Sequence, residues 1–147
     1  MTLSAPVRAV LLGGLAITLL GTSPAATLAQ PPLPAGCAGG LLGDAQILIC
    51  VPPTGWNGDL VVFAHGYVAP TDGAAQIPLD QLELPGGTSI PGIVMGLGFA
   101  FATTSYSDDG LAIVQGVQDV RDLVAAFATG PWGGPDHVYL VGASEGG

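Results

Sequence analysis

Four short apolar runs and one amphipathic stretch punctuate the chain. Ala45 to Val51 (AQILICV) closes at Pro52-Pro53, which lack amide donors and end strand pairing. Leu60 to Ala64 (LVVFA) follows the turn-forming Trp56-Asn57-Gly58-Asp59 and is continuously apolar, as strands covered on both faces are. Phe99 to Thr104 and His137 to Val141 have the same character, so four strands are predicted. Between the last two, Ile113, Val117, Val120, Val124 and Phe127 recur at steps of four and three, which places one apolar stripe on a helix. Asp108 and Asp109 supply capping oxygens at its start, and Gly130-Pro131 stops it. A shorter helix is expected after Ser89, running through Ile93, Val94 and Met95 to Gly96 or Gly98. Tyr67 to Thr88, broken by Pro70, Pro78, Pro85 and Gly86-Gly87, predicts a long loop of the kind that serves binding or catalysis. Strands alternating with helical connections predict parallel pairing through right-handed crossovers.

The N-terminus has a different design. Met1 to Arg8 carries one positive charge, Ala9 to Leu20 is almost unbroken apolar sequence, and Thr22 to Ala29 is rich in small residues. That order is the order of a secretory signal, with cleavage placed after Ala29, and the apolar run falls short of the roughly 20 residues that span a bilayer. The expected organisation is a signal peptide at 1–29, a Pro/Gly-rich mature N-terminus at 30–44 and one domain at 45–147. Export to an oxidising compartment makes a Cys37–Cys50 disulfide the expected state of the two cysteines. Two cysteines without a nearby histidine cluster fall short of a structural zinc site, and no metal is expected.

Charge narrows the function. Arg8 and Arg121 are the only basic residues among 147, against eleven Asp and Glu. A chain without a basic stripe cannot release counterions from a phosphate backbone, nor hold an anionic lipid surface. Nucleic acid is excluded as a partner, and no stable membrane association is expected once the signal is removed. Asp119 and Asp122 share a helix face, where a solvated surface explains them better than paired catalytic carboxylates.

Two motifs carry chemistry. Gly142-Ala143-Ser144-Glu145-Gly146 is a GxSxG pattern directly after the HVYLV strand, where a nucleophile on a sharp strand-to-helix turn needs neighbours without Cβ atoms. His65-Gly66-Tyr67 follows the LVVFA strand, in the position of an oxyanion loop. Through VVFAHGY (61–67) and VYLVGASEGG (138–147) the sequence resembles the α/β-hydrolase superfamily, and WNGDLVVFAHGY and GFAFATTSYSDDG look like secreted bacterial esterases and peptidases.

The resemblance implies an α/β fold, the N-terminal half of an α/β-hydrolase with a mostly parallel sheet, flanking helices and an incomplete core. It implies Ser144 as nucleophile, backbone N–H groups of Tyr67 and Glu145 as oxyanion donors, and His65, Gly66, Gly142 and Gly146 as supporting residues. The implied reaction is cleavage of an ester, less readily an amide, in a small-molecule or peptide substrate, through a Ser144 acyl-enzyme and without a cofactor. His65 is expected to organise its loop and His137 to sit in a turn. The family's acid and catalytic histidine follow the nucleophile in chain order. They are therefore expected beyond Gly147, and the chain is expected to be an N-terminal fragment, nearly inactive alone, with HVYLV as an exposed sheet edge. The alternative is a non-catalytic, hydrolase-like remnant or binding module that keeps the elbow without a triad.

Overall fold

A computed structural model of the chain describes residues 35–147. The expected signal peptide at 1–29, its cleavage point and the Pro-rich residues 30–34 lie outside the described residues.

Seven strands and two α-helices follow one another from Cys37. They are β1 (Cys37–Leu42), β2 (Ala45–Cys50), β3 (Leu60–Ala64), β4 (Glu83–Leu84), β5 (Thr88–Ser89), α1 (Ile90–Gly96), β6 (Ala100–Thr104), α2 (Ile113–Thr129) and β7 (Val138–Gly142). Five strands form one sheet in the order β1-β2-β6-β3-β7, and β4 and β5 pair separately.

The sheet is mixed, which corrects the expectation of a mostly parallel, helix-flanked α/β-hydrolase half. β1 runs antiparallel to β2, and β2 antiparallel to β6; β3 is parallel to both β6 and β7. The cause is local. Gly43-Asp44 makes a two-residue hairpin loop between Leu42 and Ala45, with Gly43 at φ +60°. A loop of that length can only reverse the chain, so β1 must be antiparallel. Parallel pairing is confined to the three strands joined by longer connections, and only two α-helices accompany them among the described residues.

Alternation along the strands builds two cores. Leu60 and Val62 of β3, with Ile49, Val51, Ala100 and Ala102, meet Leu123 and Phe127 of α2 on one face. Phe63, with Leu48, Cys50 and Phe101, meets Leu82, Ile90 and Val94 on the other. The period of two in a strand is what sends neighbours such as Val62 and Phe63 to opposite layers. Helix α1 begins as expected at Ser89, whose hydroxyl accepts from the Gly92 N–H at 3.2 Å.

Helix α2 departs from its expected stripe and cap. Gly116, Leu123 and Phe127 are its buried positions, whereas Ile113 and Val117 are exposed. Gly116 turns inward because the Tyr106 ring lies against it, at 3.2 Å from where a Cβ would stand. The helix starts after Ala112 without a side-chain cap, and Asp108 and Asp109 lie upstream in the loop. Asp109 Oδ2 instead accepts from the N–H and hydroxyl of Thr71.

Cys37 and Cys50 form a disulfide across the β1–β2 register. Among the described residues no helix is long and apolar enough to cross a membrane. β7 is the last strand of the sheet, and Val138, Tyr139, Leu140 and Val141 are 43% to 61% exposed.

Candidate active site

Parallel pairing of β3 with β7 decides where the two sequence motifs meet. Ala64 is opposite Gly142, so both strands end at the same level and in the same direction. The chain leaving β3 is His65-Gly66-Tyr67, and the chain leaving β7 is Ala143-Ser144-Glu145. The Ala143 N–H donates to Ala64 O at 3.3 Å. A Cβ on Gly66 would stand 3.2 Å from both Ala143 O and Ser144 Cβ, so Gly66 is the surface against which Ser144 rests.

The turn at Ser144 is tight and backbone-strained. Ser144 has φ +56°, one of two non-glycine residues with positive φ among the described residues. L-residues reach that region at a cost of about 1–2 kcal/mol, so it persists only where surroundings impose it. Hydrogen bonds from Gly146 N–H to Ala143 O at 3.0 Å and from Gly147 N–H to Ser144 O at 3.1 Å close the turn. Both motif glycines are required by space. A Cβ on Gly142 would overlap the Gly146 carbonyl, and one on Gly146 would overlap the main chain of Ala64 and His65. The result is a hydroxyl exposed at the tip of a strand.

The facing loop is fixed by three side chains. His65 is 2% exposed, and its ring stacks on Tyr106 with centroids 4.0 Å apart. His65 Nδ1 lies 2.7 Å from Gly66 O. A carbonyl only accepts, so Nδ1 carries a proton, and Nε2 is buried without a partner. The Tyr106 hydroxyl donates to His65 O at 3.0 Å. Gln81 faces the loop from the 3₁₀ turn Leu79–Leu82, with Oε1 accepting from Gly66 N–H at 2.7 Å and Nε2 donating to Tyr67 O at 3.2 Å.

Tyr106 occupies the second strained position, φ +59°. Burial, with the nearby Glu145 and Asp119 carboxylates, pushes its hydroxyl up to about 12. It therefore remains a neutral donor across the physiological range. Both carboxylate oxygens of Glu145 are buried without a hydrogen-bond partner. Glu145 borders an apolar pocket of about 260 Å³ that includes Tyr106, Val117 and Leu140.

Other candidates lie elsewhere. His137 precedes β7 while Ser144 follows it, so the length of a strand, roughly 20 Å at about 3.3 Å per residue, separates them. His137 Nδ1 pairs with Asp59 Oδ1 at 2.9 Å on the exposed opposite rim. The disulfide is at that end too, since Cys50 pairs with Phe101 near the start of β6. Asp119 is only half-solvated, because its Oδ2 accepts from the Ser107 N–H at 2.6 Å; Asp122 accepts from Gln118 Nε2. Among the described residues no three His, Cys, Asp or Glu side chains gather as a metal centre would require.

Gln81 and Tyr106 are the site residues that pattern reading missed. Gln81 sits in an irregular stretch without periodicity, and no sequence signal marks it. Tyr106 ends the FATTSY run, where the position after a buried strand was the available hint. No protein-family model matches the chain. No curated protein matches it either.

Proposed function

We propose that this protein is a serine hydrolase that cleaves an ester, and less readily an amide, through an acyl-enzyme on Ser144. The observation that carries the proposal is the strained, exposed Ser144 held at φ +56° against Gly66, at the joint end of two parallel strands. Strain at an exposed polar residue is retained where the reaction uses it.

In the reaction, Ser144 Oγ attacks the carbonyl carbon and the carbonyl oxygen takes the negative charge. The N–H groups of Tyr67 and Glu145 receive that oxyanion, and donors so placed contribute about 3 kcal/mol each. The alcohol leaves with a proton, and water then releases the acid and restores the hydroxyl. Among the described residues neither histidine is bonded to Ser144. On this reading residues 35–147 supply the nucleophile and the oxyanion donors but no base, and loss of the base lowers kcat by about 10⁶ in a well-studied serine hydrolase. The residual reactivity expected is that of the oxyanion site alone.

The resemblance of VVFAHGY and VYLVGASEGG to α/β-hydrolase motifs supports this chemistry at the level of the site. A disulfide and the signal-like residues 1–29 support secretion. The absence of a histidine bonded to Ser144 favours a second reading, a non-catalytic module that binds acyl compounds. A fluorophosphonate separates the two. Ser144 Oγ displaces fluoride from phosphorus and its proton passes to water, leaving a stable phosphonate ester. Without a base labelling is slow, so ordinary serines set the scale: after prolonged incubation peptide mapping is expected to find that ester at Ser144 well ahead of Ser89 and Ser107, and none at that position in Ser144→Ala. No labelling at Ser144, or labelling there no faster than at Ser89 and Ser107, overturns the proposal.

A further inference from the structure

We infer that Gln81 is a positioning residue for the oxyanion site, and that its carboxamide holds the Gly66–Tyr67 peptide with the Tyr67 N–H turned out to receive a substrate oxygen. The inference rests on the serine-hydrolase reading of Ser144 and adds to it a residue on a separate element.

The main-chain polar groups from His65 C=O to Tyr67 C=O can be followed one by one. His65 C=O accepts from the Tyr106 hydroxyl, and Gly66 N–H donates to Gln81 Oε1. Gly66 C=O accepts from His65 Nδ1, and Tyr67 C=O accepts from Gln81 Nε2. The Tyr67 N–H is the group in this run without a partner among the described residues. An N–H left without a protein partner beside the exposed Tyr67 is open to solvent or to a ligand, whereas each of its neighbours is already engaged.

Its direction follows from peptide geometry. The described residues contain no cis peptide bond, so Gly66 C=O and Tyr67 N–H point in opposite directions within one rigid plane. The carbonyl is tied to the buried His65 ring, so the N–H points away from it. Gln81 bonds the main chain on either side of that peptide, at the amide before it and the carbonyl after it. Its orientation is forced, because an N–H must meet Oε1 and a C=O must meet Nε2.

The clamp is itself anchored. Gln81 N–H donates to Pro78 O at 3.0 Å, and Leu82 beside it is buried with Phe63 and Phe101 in the sheet's second core. Rotation of the peptide therefore requires breaking two hydrogen bonds on an element tied to the core. The two side-chain hydrogen bonds of Gln81 go to the main chain of Gly66 and Tyr67 and neither goes to Ser144; it acts through the peptide.

Amide NMR of the full chain, before and after phosphonylation of Ser144, tests this. In the wild type the Tyr67 and Glu145 amide protons are expected to move downfield together as they bond the phosphonyl oxygen. Gln81→Leu removes both clamp bonds. Gln81→Glu keeps the acceptor for Gly66 N–H but sets a carboxylate against Tyr67 O. In both variants Glu145 is expected to respond as in the wild type while the Tyr67 response is lost. The phosphonylation rate constant is expected to fall about tenfold to a hundredfold, with the probe's reversible affinity unchanged. If Gln81→Leu loses its dispersed spectrum, Gln81→Glu decides by the same comparison. A full Tyr67 response and an unchanged rate in the folded variant overturn the inference. Failure of the wild type to form the adduct overturns instead the reading of Ser144.

Discussion

Replacing Ser144 with glycine should stabilise the protein, and replacing it with alanine should not. The side chain is exposed, so little packing is lost in either variant. At φ +56° a residue with a Cβ bears about 1–2 kcal/mol that glycine does not. Glycine returns about 0.4–1 kcal/mol of that through the greater freedom of its unfolded chain. The balance for Ser144→Gly is a gain of about 0.5–1 kcal/mol, whereas Ser144→Ala keeps the Cβ and stays within about 0.5 kcal/mol of the wild type. In urea, with a slope of about 2 kcal/mol/M, the glycine variant should unfold roughly 0.3–0.5 M later than the alanine variant. Equilibrium unfolding followed by tryptophan fluorescence measures this directly. If Ser144→Gly is no more stable than Ser144→Ala, the serine is not held under strain, and the physical argument for a reactive elbow is wrong.

Three further outcomes are expected. Gly146→Ala places a methyl group in the main chain of Ala64 and His65, where no side chain can yield, and should cost about 1–3 kcal/mol in urea unfolding and slow phosphonylation of Ser144. Reducing the Cys37–Cys50 bond, which closes a loop of sequence separation 13, should cost about 3 kcal/mol on the chain-entropy account and leave the Ser144 end of the sheet unchanged by amide NMR. Tyr106 binds its proton more tightly folded than unfolded, so its contribution to stability is complete below pH 10 and is lost as pH rises towards about 12. Over that interval the loss should total about 1–2 kcal/mol once solvent screening is allowed for, and Tyr106→Phe should abolish it, as read by urea midpoints against pH.

Pattern reading located elements better than it located their directions. β2, β3, β6 and β7 were legible because apolar runs end at chemistry that cannot pair, such as Pro52-Pro53, or at turn residues such as His65-Gly66. β1 was not legible, since CAGGLL has two glycines at its centre and is largely exposed; its hairpin signal was the Gly43-Asp44 pair. Missing that one turn hid the β1–β2 hairpin, and the antiparallel pairing of β2 with β6, strands more than 50 residues apart, carries no local signal at all. In α2 the periodicity gave the helix but misplaced its buried face at the N-terminal end, where Gly116, invisible to an apolar stripe, packs on Tyr106. The Asp108-Asp109 pair looks like a cap in sequence, yet Asp109 binds Thr71 across the loop, a partner 38 residues away that no local rule reveals.

The site divided along the same line. Ser144, Gly142, Gly146 and the His65-Gly66-Tyr67 loop stood out because glycine beside a polar side chain at a strand end has a mechanical reason. Their approach to one another needed the β3–β7 register, which places Ala64 beside Gly142. Gln81 and Tyr106 act through single hydrogen bonds from elements distant in sequence, and residue type alone carries no trace of such a bond.

Trapping the acyl-enzyme tests the central claim most directly. The chain is incubated with an activated acetyl ester, quenched in acid and mapped by peptide mass spectrometry, with Ser89 and Ser107 as internal controls on ordinary hydroxyls. Acetyl should accumulate slowly at Ser144, well ahead of both controls, and be absent from that position in Ser144→Ala. Equal modification of all three serines, or none at Ser144, would contradict the account.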